Sequence, residues 1–219
     1  MMNEYKNPAI TIDGVIFQLV GGRLSVLLVK RPDEPFKGMW ALPGGYIAQS
    51  ETSVQALERV MRNKAGVALG ATSYVEQLFT FDTAGQAGGN AISVVYMGLA
   101  RNMAPDGEHR RFFAVDELPD LAYEHARIVQ YARRRLESKS MYTNILFALL
   151  SPAFTLSELQ AAYEEILGKK LDKRNFRKKI SQLGFIGATG EYRKDGAHRP
   201  AQLHRFVKDE LQELSRSFD

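Results

Sequence analysis

One stretch of the sequence has residue types and spacing suited to reading DNA: residues 172–183, Asp-Lys-Arg-Asn-Phe-Arg-Lys-Lys-Ile-Ser-Gln-Leu. Phe176, Ile180 and Leu183 recur at helical spacing, so on a helix they would face a core and leave the cations on the outer side. Arg can bind guanine and Asn adenine through paired hydrogen bonds, whereas other cations contact phosphates. The predicted DNA-binding residues of this helix are Lys173, Arg174, Asn175, Arg177 and Lys178.

A basic hairpin is predicted beyond this helix, with short strands at 185–188 and 202–206. Its polar tip carries Arg193, Lys194, His198 and Arg199, for which we expect phosphate or minor-groove contacts. Helical patterns at 141–150, 155–167 and 172–183 precede the hairpin, with Thr155 and Asp172 as N-caps. Three helices followed by a hairpin predict a winged helix-turn-helix domain. A small protein-interaction domain is the alternative.

The distribution of charge agrees with this prediction. The chain has a net charge of +4, but residues 1–137 hold 15 basic and 15 acidic side chains. Residues 138–219 hold 14 basic against 10 acidic, and residues 169–205 hold 11 against 3. This asymmetry indicates a polyanion partner for the C-terminal half. A solvated basic face is the alternative explanation from charge alone.

Residues 40–67 hold a second pattern: Trp-Ala-Leu-Pro-Gly-Gly, then Glu51, Arg59 and Gly66-Val67. This segment resembles the Nudix signature: Gly, five residues, Glu, seven residues, Arg-Glu-apolar-any-Glu-Glu-any-Gly-apolar. Alternating elements favour an α/β class, and the resemblance implies a Nudix α/β/α sandwich with a mixed sheet. The predicted strands lie at 9–19, 24–31, 73–81, 91–100 and 110–115, and the predicted helices at 51–65, with Ser50 as N-cap, and at 124–137.

Three glutamates of that signature are replaced here by Val60, Asn63 and Lys64. In Nudix hydrolases these acids share one face of a helix and hold Mg²⁺, a cation that prefers carboxylate oxygens. Valine offers no ligand and lysine puts a positive charge where the metal would bind. Glu51 remains, and Glu58 lies about 200° around the helix from Val60 and cannot replace it. We therefore expect neither catalytic residues nor a metal site.

The resemblance leaves a pocket suited to a nucleotide-like ligand. Lys64 is expected to contact a diphosphate there, although each pocket residue has a packing or surface role as its alternative. Arg59 commonly supports the loop of the Nudix fold through hydrogen bonds, and His125 is expected on a helix surface. The predicted ligand-binding residues are Arg31, Trp40, Gly44, Gly45, Lys64, Phe81 and Tyr96.

Composition excludes several classes of protein. No apolar run approaches the ~18 residues of a membrane span, and the N-terminal residues lack the apolar segment of a signal peptide. The absence of cysteine excludes disulfides, thiolate zinc sites and thiol nucleophiles. These features predict a cytoplasmic protein.

A degenerate Nudix domain (1–138) joined to a winged helix (139–219) resembles the NrtR family of Nudix-related regulators of NAD metabolism. The resemblance includes the segment His-Arg-Pro-Ala-Gln-Leu at 198–203. It implies a homodimer on a palindromic DNA operator, repression of NAD-metabolism genes, and ADP-ribose or a related nucleotide as effector, without a cofactor. A hinge is expected near 136–142. The alternatives are a sister group that governs sugar catabolism and a Nudix hydrolase of ADP-ribose or a sugar nucleotide.

Overall fold

A computed structural model describes residues 8–82, 91–105, 107–194, 200–215 and 218. The chain divides into two compact units. The first comprises Met1–Gln18 and Ser25–Ala132, and the second comprises Leu19–Leu24 and Arg133–Asp219. Within the described residues no helix combines the length and apolar character that a membrane crossing needs.

A mixed β-sheet forms the centre of the first unit. Its strands follow the order β3-β2-β1-β6-β5, while β4 pairs with β1 and β7 with β2. Strands β1 and β6 are parallel, and β5 returns antiparallel to β6. The strands are β1 (Ala9–Val20), β2 (Arg23–Lys30), β3 (Trp40–Ala41), β4 (Gly44–Tyr46), β5 (Tyr74–Asp82), β6 (Ala91–Leu99) and β7 (Arg110–Ala114).

Strand β1 is buried almost continuously over residues 12–18. A strand covered on both faces is expected to carry such an apolar run rather than an alternating pattern. Ile12 and Ile16 contribute to a core cluster with Leu57 and Met61 of the following helical segment. The sheet and this segment are therefore held together by the same apolar contacts.

The helix predicted over 51–65 is interrupted in the structure. Helix α1 (Ser53–Val60) begins at Thr52 rather than Ser50, because Thr52 and Gln55 form a reciprocal capping box. A π-helical turn, Met61–Ala65, follows, and Gly66 ends it with φ of 69°. A left-handed residue at this position favours glycine. The turn carries the positions at which hydrolases place two of their acids.

Helix α2 (His125–Tyr142) runs without a break through the division between the units. The predicted boundary between residues 138 and 139 lies inside this helix. The expected hinge at 136–142 falls within the last turns of this helix and stays a prediction. The separate helix predicted at 141–150 is wrong, because only a short 3₁₀ turn, Ile145–Ala148, follows.

The second unit has the helices and hairpin of the predicted winged helix. Helices α3 (Leu156–Leu167) and α4 (Lys173–Leu183) begin at the predicted N-caps Thr155 and Asp172. Their final residues precede Gly168 and Gly184, which adopt left-handed conformations. Strand β10 (Ala201–Phe206) pairs with both β8 (Phe154–Thr155) and β9 (Ile186–Arg193).

The C-terminal tail after β10 is bound to the end of α2. The buried Asn144 side chain accepts from the Gln212 N–H at 2.7 Å and donates to the Glu210 carbonyl at 3.0 Å. Further along the tail, Phe218 stacks on Tyr163 with ring centroids 4.2 Å apart and lies 5.8 Å from Phe176 of α4. The tail therefore completes the core beneath α4.

His125 is buried, so the expectation of a surface position is wrong. Its Nδ1 accepts a hydrogen bond from the Leu42 N–H at 2.9 Å, which leaves the proton of the neutral ring on Nε2. Nε2 lies 3.9 Å from Asp13 Oδ1, and Asp13 also accepts from the Ser93 hydroxyl. Burial lowers the pKa of His125, and Asp13 opposes this effect.

We predict that His125 makes the first unit less stable in acid. Because its pKa is lower in the folded chain than in the unfolded chain, its contribution is complete above about pH 6.5 and is lost as the pH falls. The H125Q variant keeps an acceptor for Leu42 but does not titrate, so its free energy of unfolding should fall less between about pH 7 and 5. Denaturant titrations measure this difference. The exposed His109, changed to Gln, is the control, and equal losses in H125Q and wild type would contradict the prediction.

Candidate functional site

A lysine ammonium lies against the glycine loop of the first unit. Lys64, on the π-helical turn, donates from Nζ to the Gly44 carbonyl at 2.5 Å. A Cβ at Gly44 would overlap the Asp13 carboxylate, so only glycine fits there. A Cβ at Gly45 would lie 3.3 Å from Val60 Cγ2 and 3.6 Å from Lys64 Nζ. The structure therefore brings together Gly44, Gly45 and Lys64.

Two positive side chains, Arg31 and Arg59, and two negative ones, Asp13 and Asp33, act on the ionisation of Lys64. Desolvation and the charge of Arg31 lower the pKa of Lys64, whereas Asp13 and Asp33 act in the opposite direction. Two cations held near one another are stabilised by a bound anion. This arrangement suits a phosphate-bearing ligand.

Glu51, the remaining acid of the signature, is bound to Arg59. Both of its oxygens accept from the Arg59 guanidinium, at 2.5 and 2.8 Å, and Oε2 also accepts from the Ala48 N–H at 3.0 Å. Hydrogen bonding by Arg59 and then by Ala48 holds the pKa of Glu51 at about 2. Arg59 also donates to the Tyr46 carbonyl, so its expected role in supporting the loop is confirmed.

The donor set of this loop does not fit a divalent metal. Val60 is fully buried, Asn63 is exposed, and the ammonium of Lys64 points at the carbonyl of the loop. No group of three or more His, Cys, Asp or Glu side chains within the described part of the chain is placed to hold a metal ion. Mg²⁺ requires several oxygen ligands in octahedral geometry, and these residues do not supply them.

Arg110, at the start of β7, binds the end of the π-helical turn. Its Nε donates to the Lys64 carbonyl at 2.8 Å and its Nη2 to the Asn63 carbonyl at 3.3 Å. A Cβ at Gly66 would overlap the Arg110 guanidinium. Carbonyls at a helix end lack partners within the helix, and Arg110 provides them here. The sequence gives no local signal for this contact.

Arg31 and Trp40 are partly exposed beside aromatic neighbours. Arg31 donates to the Pro35 carbonyl at 2.8 Å and lies 5.0 Å from the centre of the Tyr123 ring. Trp40 packs edge-on against Phe113 at 4.8 Å. Both side chains can therefore contact a ligand without disturbing the core.

Phe81 and Tyr96 are buried and have packing partners. Phe81 contacts Tyr131 edge-on with centroids 5.6 Å apart. Tyr96 belongs to the core cluster, and its hydroxyl lies 2.6 Å from the Ser53 hydroxyl. The structure does not bring these two rings to the Gly44–Lys64 contact.

Helix α4 presents its polar residues outward. Phe176 and Ile180 are buried, and the Asp172 side chain accepts from the Asn175 N–H at 2.8 Å to start the helix. Opposite this apolar face lies a continuous basic surface. Its exposed residues are Lys173, Arg174, Asn175, Arg177 and Lys178.

The hairpin places the two described tip residues differently. Arg193 pairs with Glu158 of α3 at 2.5 Å, whereas Lys194 is exposed. His198 and Arg199 lie outside the described residues. The sequence analysis did not single out Asp13, His125 or Arg110 as site residues. For Asp13, the sequence offers one signal, a carboxylate within an apolar strand.

Family models match both halves of the chain. The NUDIX domain model matches residues 10–132. The model of the NrtR DNA-binding winged helix domain matches residues 146–206. The predicted fold, a Nudix α/β domain followed by a winged helix, is thereby confirmed.

Three relatives are informative. The ADPR-responsive transcriptional repressor NtrR of Acinetobacter baylyi is 34% identical over 94% of this chain and 84% of its own length. The ADP-ribose pyrophosphatase of Methanocaldococcus jannaschii is 31% identical over 58% of this chain and 73% of its own. The third relative is NrtR of Shewanella oneidensis, whose crystal structures include one with DNA and one of its NUDIX domain with ADP-ribose.

The structure of Shewanella NrtR with a 27mer DNA superposes with a TM-score of 0.82, at 31% identity, over 96% of this chain and 99% of that chain. Its NUDIX domain with ADP-ribose matches with a TM-score of 0.55, at 30% identity, over 62% of this chain and 93% of that one. Because both domains and nearly the whole length match, the chain belongs to the NrtR family of Nudix-related transcriptional regulators.

Proposed function

We propose that this protein is an ADP-ribose-responsive repressor that binds DNA as a homodimer. The observation that carries the proposal is the exposed basic face of α4, whose apolar residues Phe176 and Ile180 are buried in the same unit as the hairpin. A winged helix uses such a surface to enter the major groove. The bacterial relatives named above respond to ADP-ribose or bind DNA.

DNA recognition is assigned to two sets of residues. The first turn of α4, with Lys173, Arg174 and Asn175, reaches base edges, because a recognition helix presents its N-terminal residues to them. Arg177 and Lys178 contact phosphates and set the dependence of affinity on salt. The hairpin tip adds Lys194, with Arg193, His198 and Arg199, as backbone or minor-groove contacts.

ADP-ribose is assigned to the first unit. Its diphosphate binds Lys64 and Arg31 beside the glycine loop of Gly44 and Gly45, where the Lys64 ammonium lies against the Gly44 carbonyl and the charge of Arg31 acts on it. Trp40, Phe81 and Tyr96 complete the proposed set, of which Phe81 and Tyr96 are buried against partners of their own. Binding without turnover is expected, because Val60, Asn63 and Lys64 replace the acids that hold the catalytic metal.

The regulated genes are proposed to serve NAD metabolism. Under this proposal, ADP-ribose binds the DNA-free arrangement of the homodimer better than the DNA-bound arrangement and so releases the operator. The two recognition helices must then lose the spacing of about 34 Å that adjacent major grooves demand. Control of sugar catabolism by the same architecture is the alternative regulon. The chain acts in the cytoplasm, where its operator lies.

Release of DNA by ADP-ribose is the first prediction of this proposal. The purified protein should bind the DNA upstream of its own gene, and ADP-ribose should lower that affinity. Fluorescence anisotropy with and without ADP-ribose measures both quantities. Binding that ADP-ribose does not alter would contradict the effector assignment and leave sugar phosphates as candidates, whereas no specific binding at moderate salt would contradict this operator.

Arg174 is predicted to contribute to operator recognition. The R174A variant should weaken specific binding by about 1–3 kcal/mol, because a base contact of an arginine has that magnitude. The control is R127A, which removes an equally charged, exposed side chain paired with Glu124 in the first unit. Titrations on operator and on unrelated DNA separate base recognition from phosphate contact. An unchanged operator affinity would show that α4 does not read DNA through this residue.

The loss of hydrolase activity is the third prediction of this section. With Mg²⁺ and ADP-ribose, the wild-type protein should release no AMP above the uncatalysed rate, since the carboxylates that would bind the metal are absent. Chromatography of the nucleotides after prolonged incubation measures this. If AMP is released only in the presence of Mg²⁺ and in proportion to the amount of protein, the diphosphatase alternative is revived.

A further inference from the structure

Nudix hydrolases neutralise a diphosphate with a divalent metal. In this chain the glycine loop of Gly44 and Gly45 is contacted instead by the ammonium of a lysine side chain. Lys64 Nζ donates to the Gly44 carbonyl at 2.5 Å, beside Gly45. The carboxylate that could have competed for it, Glu51, has both oxygens bound to Arg59. Lys64 is therefore not paired with Glu51, and its ammonium lies at the face of the loop, where Asp13 and Asp33 act on it only as neighbouring charges.

The backbone that carries Lys64 is held from outside its own helix. Arg110 donates to the carbonyls of Asn63 and Lys64, at 3.3 and 2.8 Å. Gly66, with φ of 69°, leaves the space that the guanidinium occupies, because a side chain there would overlap it. The planar, forked donors of arginine suit two adjacent carbonyls, whereas a lysine ammonium would bind them less directionally.

We propose that Arg110 positions Lys64 and that the two residues form a metal-independent anion site, in which the Lys64 ammonium takes the place of the divalent cation. Arg110 acts through the backbone and does not touch the ligand. The ligand class is a diphosphate. This inference rests on the proposed role of ADP-ribose as effector.

The consequence is that effector binding does not need a metal. The wild-type protein should bind ADP-ribose with the same affinity in excess EDTA and in millimolar Mg²⁺, as measured by calorimetry. If EDTA abolishes binding and Mg²⁺ restores it, the proposal of a metal-independent site is overturned.

A double-mutant cycle tests the positioning role. R110A and K64A should each weaken ADP-ribose binding about tenfold, and the double variant should be no weaker than K64A, because contacting residues that act together are not additive. Losses that multiply in the double variant would show that Arg110 does not act through Lys64. R110K, which keeps the charge but not the fork, should resemble R110A.

Controls separate this role from general stability. R62A removes an exposed arginine of the same turn, paired with Glu58 at 2.7 Å, and should leave ADP-ribose affinity unchanged. Thermal unfolding and operator affinity show whether R110A is folded. If R110A is not folded, R110K alone is compared with the wild-type protein, and its affinity for ADP-ribose must be lower.

Failure of the effector assignment is distinguishable from failure of the site. Inorganic pyrophosphate is titrated in EDTA with the same variants. If ADP-ribose does not bind but pyrophosphate does, and the K64A variant no longer binds pyrophosphate, the proposed effector is wrong while the anion site is supported. If neither ligand binds, the inference is overturned.

Discussion

The contact between the Lys64 ammonium and the Gly44 carbonyl is the interaction on which the proposed anion site of the first unit depends. It requires a glycine at position 44, because the Asp13 carboxylate lies where a side chain would begin. Lys64 itself lies on the π-helical turn Met61–Ala65. An ammonium brought partly out of water needs a compensating acceptor, and the backbone carbonyl supplies one without removing the positive charge.

A charge that belongs to the chain has consequences that differ from those of a bound metal. A hydrolase uses its metal both to bind the diphosphate and to activate water, whereas an ammonium can contribute only to binding. Glu51 has likewise become structural, because Arg59 engages both of its oxygens. Under the proposed function, these replacements keep the recognition of an anion and leave out the metal chemistry, as a protein that reports a metabolite without consuming it requires.

The end of helix α2 and the C-terminal tail are joined by hydrogen bonds within the second unit. The helix begins at the buried His125 and ends at Tyr142, whose carbonyl accepts from the Leu214 N–H at 2.8 Å. Phe218 of the tail then packs against Phe176 of α4. The core beneath α4 is thus built partly by residues that follow the hairpin in sequence.

The sequence by itself determined the classes of the two domains, the caps at Thr155 and Asp172, the outward face of α4 and the loss of the metal ligands, because each depends on local periodicity or fixed spacing. Tertiary structure decided the burial of His125, the packing of Phe81 and Tyr96, the continuity of α2 and the bond of Arg110 to the π-helical turn. These depend on partners distant in sequence: Leu42 for His125 and residues 63–64 for Arg110. Local patterns carry no information about such partners, since side-chain type alone does not specify what packs against it.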